Sequence, residues 1–208
     1  MLKIGYLGPE GTYSSYAARL YDKENLKIPF NTINEVLNSL KSSDANQVIV
    51  PLENSINGSI VEVLDFLASK NNFQIIAELN IEINHSIYSL DKINPVNVEV
   101  VYSHPQALAQ CYDYLVNNFK NAKHKASNST ADSYNDLVNS NEKGVFIGPP
   151  WMKEQNDIIV MGENIQSVKN NVTRFVVISD KKTNKKTVSD KTSIAVSYTH
   201  LTLPTIGC

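Results

Sequence analysis

The chain has 208 residues, 42% of them hydrophobic, and its 19 basic and 21 acidic residues leave a net charge near −2. That is enough chain to bury the core of one or two α/β units, and the balanced charge points away from nucleic acid and anionic membrane as partners. No apolar run approaches the roughly 20 residues that span a bilayer, and two cysteines with four scattered histidines offer neither a disulfide framework nor metal-ligand spacing.

Met1-Leu2-Lys3-Ile4 leads directly into a predicted strand at Lys3–Leu7, without the basic and apolar run of a secretory leader, so a cytoplasmic, metal-free protein is expected. Gly8-Pro9-Glu10-Gly11-Thr12-Tyr13-Ser14-Ser15 joins this strand to a helix over Ser14–Tyr21. Its glycines let backbone approach a ligand, and Thr12, Ser14 or Ser15 suits the cap. Amides at such a helix start favour an anion such as a carboxylate. The segment is neither GxGxxG nor a P-loop, so no nucleotide is implied.

A helix over Ile33–Lys41 and a strand at Gln47–Val50 follow. The strand ends in Pro51-Leu52-Glu53-Asn54-Ser55-Ile56-Asn57-Gly58-Ser59, a dense polar turn before a helix over Ile60–Ser69. Asn54 and Ser55 are expected at the carboxyl end of that strand, facing a cleft. Further strands are predicted at Ile75–Glu78, Ile81–Tyr88 and Glu99–Tyr102. Ser103-His104-Pro105-Gln106 then repeats the hydroxyl-rich turn before a helix over Gln106–Asn117. His104 reads either as a structural donor or as a proton carrier. Asn128-Ser129-Thr130-Ala131-Asp132 opens a helix over Thr130–Asn139 in the manner of a capping box, and a strand follows at Gly144–Ile147.

Near the end, Asn170-Asn171-Val172-Thr173-Arg174-Phe175 sets a hydroxyl beside a guanidinium where a polar loop enters a strand at Arg174–Ile178. In a regular strand Thr173 and Arg174 point to opposite faces, so one site can use both only where the chain is irregular. Residues 181–190 read as a solvated linker. A new strand is predicted at Thr192–Val196, and Ser197–Cys208 resembles translated adapter sequence rather than part of a domain.

Alternating strands and helices predict an α/β fold with largely parallel sheets. The pattern occurs twice, giving lobe one at about 1–80 plus 158–180 and lobe two at about 81–157, with Gln74–Ser89 crossing between them. Each polar turn alone reads as a capped turn. Four together, with Thr173 and Arg174, suit a small polyanion held by amides, hydroxyls and one guanidinium.

GPEGTYS, VPLENSINGS, SHPQALAQC, STAD and NNVTRFVVIS, in this order, resemble prephenate dehydratase over roughly residues 3–180. The resemblance implies a two-lobed α/β catalytic domain like type II periplasmic binding proteins, with its site in the inter-lobe cleft. The activity implied is conversion of prephenate to phenylpyruvate, water and CO2 in phenylalanine biosynthesis, without cofactor or metal. It further implies catalytic roles for Thr173, Arg174 and Phe175: Thr173 assists the leaving hydroxyl, Arg174 pairs with a carboxylate and Phe175 packs near the ring. Substrate binding falls to Thr12, Asn54, Ser55, Gly58, Ser103, His104, Gln106, Ala107, Leu108, Ser129 and Thr130. Lys191–Val196 resembles the first strand of the phenylalanine-sensing ACT domain that usually follows, so a truncated regulatory domain and reduced feedback inhibition are expected. The family's tendency to associate implies a homodimer.

Two positions and one segment depart from the family pattern. Ser167 replaces the usual Asp or Asn, Val63 replaces Thr, and Ile147–Lys153 lacks the small, alanine-rich helix start. Alternative readings are an arogenate dehydratase, a non-catalytic cleft protein that binds an amino acid or keto acid, and a fragment destabilised by an unpaired strand at Thr192–Val196.

Overall fold

The computed structural model describes residues 1–69, 72–154 and 157–180. The predicted linker, the strand at Thr192–Val196 and the terminal segment lie outside the described residues.

In chain order the first elements are β1 (Lys3–Leu7), α1 (Tyr13–Tyr21), β2 (Leu26–Phe30), α2 (Ile33–Lys41), β3 (Gln47–Asn54), β4 (Gly58–Ser59), α3 (Val61–Ala68) and β5 (Gln74–Glu82). Next come β6 (Ser86–Ser89), β7 (Val100–Ser103), α4 (Pro105–Gln110), α5 (Tyr112–Asn118), β8 (Lys123–Ala126), α6 (Asp132–Asn139), β9 (Gly144–Gly148), β10 (Ile159–Gly162) and β11 (Val172–Ser179). Short 3-10 turns occur at Pro95–Asn97 and Pro150–Glu154.

These strands form two sheets. One has the order β2-β1-β3-β11-β5, with β4 paired to β3, and the other has the order β10-β6-β9-β7-β8. Both are mixed, which corrects the expectation of largely parallel sheets. β1 runs parallel to β2 and β3, but β11 is antiparallel to both β3 and β5. In the second sheet β7 is parallel to β8 and β9, while β6 is antiparallel to β9 and β10. The cause is the chain path: β5 continues through 83–85 into β6 of the other sheet, and the chain returns through 163–171 into β11. The two crossings lie side by side, with the Ile83 amide donating to Asn171 O at 2.8 Å and the Ile165 amide to His85 O at 3.0 Å.

Local chemistry places the helices. Thr12 Oγ1 caps α1 by accepting from the Ser15 amide at 3.3 Å. Thr32 caps α2 through the Glu35 amide at 3.1 Å, and the Glu35 carboxylate accepts from the Asn31 amide at 3.0 Å; each such cap contributes about 1 kcal/mol. The turn after β3 closes at Gly58, whose φ of +77° favours glycine.

Alternation along β11 divides the first core. Val176 and Ile178 join Val36, Leu37, Val48 and Val63 beneath α2 and α3, while Phe175 and Val177 join Ile4, Ala17, Ala18 and Ile49 beneath α1. The second sheet repeats the arrangement, with Ile87, Val101, Val145 and Ile147 against α4 and α5, and Val100, Tyr102 and Phe146 against α6. Fully burying such side chains stabilises by about 1.5–3 kcal/mol each, which makes the sheets rigid supports for the groups at their ends. Among the described residues, no helix is long and apolar enough to cross a membrane.

Candidate active site

Thr173 lies at the start of β11, level with Asn54 at the end of β3. Asn54 Nδ2 donates to Thr173 Oγ1 at 2.9 Å and to Asn171 Oδ1 at 2.7 Å. On its other side Asn54 Oδ1 accepts from the backbone amides of Ile56 and Asn57, both at 3.0 Å. Those two amides fix which end of the carboxamide faces Thr173. Thr173 and Asn54 are each only 8% exposed, so their bonds are formed away from competing water. Ser55 closes the same junction: its amide donates to Val172 O at 2.9 Å, and its Oγ accepts from the Val172 amide at 2.9 Å.

From Asn171 the polar chain continues into the second sheet. Asn171 Nδ2 donates to Gln110 Oε1 at 3.4 Å, and His85 Nε2 lies 2.9 Å from the same oxygen. Around it, the His85 amide donates to Gln166 Oε1 at 2.9 Å, and Gln166 Nε2 donates to Asn84 Oδ1 at 2.7 Å. Tyr13, at the start of α1, bonds to the backbone of Asn84. Ser167, one of the departures from the family pattern, donates its amide to Gln110 O at 2.8 Å.

Strand geometry separates Thr173 from its neighbours in sequence. The register runs regularly through Thr173 and Arg174, and the irregularity against β3 comes one residue later, between Arg174 and Phe175. Arg174 therefore turns from Thr173 toward β5, where its Nε and Nη2 lie 2.9 and 2.6 Å from Glu78 Oε2. Phe175, 2% exposed, packs in the core beneath α1. Of the three residues given catalytic roles by resemblance, the structure brings Thr173 alone to the junction. Arg174 is paired with an internal carboxylate, and Phe175 is covered by the core.

The remaining predicted residues fall into three groups. Thr12 caps α1 and donates to Pro9 O at 2.9 Å. Beside it Gly11, at φ +88°, approaches the start of α6 so closely that an added Cβ would sit 3.3 Å from Ala131 Cβ. This brings the loop before α1 against the end of the turn Ser129-Thr130-Ala131 that opens α6, where Ser129 Oγ accepts the Asp132 amide at 3.0 Å. In the second sheet Ser103 is fully buried and donates to Ile147 O at 3.0 Å. His104 caps α4 through Nδ1, which accepts from the Gln106 amide at 3.3 Å, and burial lowers its pKa. Gln106 is exposed, whereas Ala107 and Leu108 pack into the second core. Gly58 and Ser55 lie at the exposed rim of the turn after β3.

Sequence reasoning missed the residues that join the lobes. Trp151 stacks on Tyr16, with ring centroids 4.3 Å apart, and meets the Tyr13 ring edge-on at 4.8 Å. The groove beside it, about 280 Å³, is lined by Ser15, Tyr16, Arg19, Lys23 and Glu154 among others. Trp151 belongs to the segment that departs from the family pattern, so the departure is filled by an aromatic inter-lobe contact. Asn171, Gln110 and His85 sit inside or next to recognisable motifs, but their contacts span 25 to 117 residues of chain.

Against this geometry, the family model for prephenate dehydratase matches residues 4–183. The chain belongs to the prephenate dehydratase family. It is 34% identical over 186 residues to a bifunctional chorismate mutase/prephenate dehydratase of Buchnera aphidicola subsp. Schizaphis graminum, a match spanning 87% of this chain and 48% of that protein. It is also 34% identical over 181 residues to a prephenate dehydratase of Methanocaldococcus jannaschii, spanning 85% of this chain and 64% of that one. The chain thus spans about half to two thirds of the length of these curated relatives. Among solved structures, a prephenate dehydratase from Arthrobacter aurescens in complex with L-Phe superposes with a TM-score of 0.79 at 25% identity, covering 89% of this chain and 63% of that one. The two-sheet α/β architecture is therefore that of the prephenate dehydratase family.

Proposed function

We propose that the chain is a dehydratase domain that converts prephenate to phenylpyruvate, water and CO2 in phenylalanine biosynthesis. The observation carrying this reading is the state of the Thr173 hydroxyl. Asn54 donates into its oxygen at 2.9 Å, and among the described residues it has no hydrogen-bond acceptor of its own. Its proton is left for a ligand at the lobe junction.

Prephenate carries two carboxylates and a ring hydroxyl. When CO2 leaves, the electron pair of the broken C–C bond enters the ring and expels the hydroxyl as water, and aromatisation drives the step. The protein has to hold the carboxylates and assist the leaving oxygen. A threonine hydroxyl is too weak an acid to protonate that oxygen outright, so Thr173 polarises it by hydrogen bonding or relays a proton. The starts of α1 and α6 supply backbone amides suited to carboxylates. Arg174 acts through Glu78, bracing β11 against β5.

On this reading the lobes are 1–80 plus 158–180 and 81–157, and the domain works in the cytoplasm as a homodimer. Incubation with prephenate, followed by phenylpyruvate absorbance, tests the activity. Release of phenylalanine from arogenate in place of this reaction would change the substrate assignment. Binding of prephenate without turnover of either compound would overturn catalysis.

A further inference from the structure

The polar chain at the lobe junction has a defined direction, and it ends on a histidine that the sequence did not mark. Its orientation is set at one end by backbone. The amides of Ile56 and Asn57 require an oxygen, which fixes Asn54 Oδ1 toward them and Nδ2 toward Asn171 and Thr173. Asn171 must then present Oδ1 to Asn54 and Nδ2 to Gln110. Gln110 must answer with its oxygen, and the imidazole nitrogen 2.9 Å from that oxygen must carry a proton. The side-chain orientations of all four residues follow from two backbone amides, by matching donors to acceptors.

The far nitrogen of His85 agrees. His85 is 3% exposed, and its Nδ1 is buried without a hydrogen-bond partner. A proton there would be an unsatisfied buried donor on a charged ring, which is costly, whereas a bare lone pair is tolerated. The ring faces Tyr13 edge-on at 6.5 Å, and the polar side chain it touches is the neutral Gln110 amide. Burial accordingly lowers its pKa.

We infer that His85 is a positioning residue: as the neutral Nε2–H tautomer it pins the Gln110 carboxamide and through it Asn171, closing from the second sheet the Asn171–Asn54–Thr173 chain that backbone anchors at its other end, so that the Thr173 proton is left for the ligand. This rests on the dehydratase reading for its consequence in turnover, but not for the tautomer itself. His85 precedes β6 in the second sheet, and Thr173 opens β11 in the first. The chain therefore ties the arrangement of the reacting hydroxyl to the relative position of the lobes.

Two measurements test it. In the wild-type chain, nitrogen NMR of the His85 ring reports the tautomer directly, without substrate. A protonated Nε2 and bare Nδ1 at neutral pH are expected, and the opposite tautomer or an imidazolium would overturn the inference. In turnover, His85→Leu removes the donor, and His85→Gln returns an N–H at about the same reach. The expected result for His85→Leu is a fall in kcat of about tenfold to a hundredfold, the scale of misplacing a reacting group, with KM nearly unchanged and kcat recovered in His85→Gln. In a Thr173→Ala background the His85→Leu loss should largely vanish, because the chain then has nothing to orient. An unchanged kcat in folded His85→Leu, or an equal loss in the Thr173→Ala background, would refute the positioning role. A wild-type chain that turns over no prephenate would instead count against the dehydratase reading, leaving the NMR result to decide the tautomer.

Discussion

Asn54→Asp probes the junction with almost no change in shape. The substitution keeps an oxygen for the Ile56 and Asn57 amides, at 3.0 Å each. It removes the N–H groups that reach Asn171 Oδ1 at 2.7 Å and Thr173 Oγ1 at 2.9 Å, and sets a carboxylate oxygen against both. A buried polar group left unsatisfied costs about 1–3 kcal/mol, and more where a charge is involved, so two would cost at least about 2 kcal/mol. Thr173 can relieve its share by rotating its proton onto the new carboxylate, which leaves at least about 1 kcal/mol for Asn171. For a chain of this size that is a fall in Tm of at least about 2 °C. The same rotation consumes the proton the reaction needs, so kcat should fall about a hundredfold or more. A thermal melt and a phenylpyruvate absorbance assay on the same sample read both effects. A variant with the predicted loss in Tm but wild-type kcat would refute the argument that Asn54 keeps the Thr173 proton available.

Three further outcomes follow from the same geometry. Trp151→Ala removes two inter-lobe ring contacts, at 4.3 and 4.8 Å, and should destabilise the fold by at least about 1–3 kcal/mol; an unchanged urea midpoint would contradict that role. Arg174→Lys keeps the charge but not both contacts to Glu78, and should cost about 1 kcal/mol in urea unfolding with KM nearly unchanged. A large rise in KM without loss of stability would mean that Arg174 binds substrate directly. Burial lowers the His85 pKa, so below about pH 6.5 the unfolded chain takes up a proton that the folded chain resists. Its contribution to stability is therefore present above that pH and lost as pH falls toward the lowered value, and His85→Gln should flatten this part of the urea-midpoint profile. An equal acid loss in the variant would assign the effect to other groups.

The fold was legible where periodicity was strong. β1 and α2 fall where their apolar spacing places them, and the polar turns do lie at strand-to-helix junctions. Four strands escaped notice for separate physical reasons, beginning with β4, which is only two residues long. β2 contains Pro29 and lies at a sheet edge; β8, Lys-His-Lys-Ala, is exposed along its whole length; β10 is a short edge strand. Cys111 breaks the single predicted helix into α4 and α5, and no glycine or proline marks that break. Mixed sheet direction was hidden too, because it depends on where the chain crosses between lobes rather than on local pattern.

The site was legible as a set of segments but not as a set of contacts. Asn54 and Thr173 each belong to a conspicuous run, yet their 2.9 Å bond joins positions 119 apart. Alternation along β11 foretold that Thr173 and Arg174 diverge, and Glu78 supplies the partner that sequence could not name. His85 and Trp151 carry no local signal, since their roles arise where the lobes meet.

The central claim is that the Thr173 hydroxyl assists departure of the substrate's ring hydroxyl, and the direct measurement is prephenate turnover by the wild-type chain, Thr173→Ser and Thr173→Ala. The account predicts measurable wild-type turnover, substantial activity in Thr173→Ser, and a fall of at least roughly a hundredfold in kcat for Thr173→Ala with prephenate still bound. A Thr173→Ala chain that turns over prephenate at the wild-type rate would contradict it.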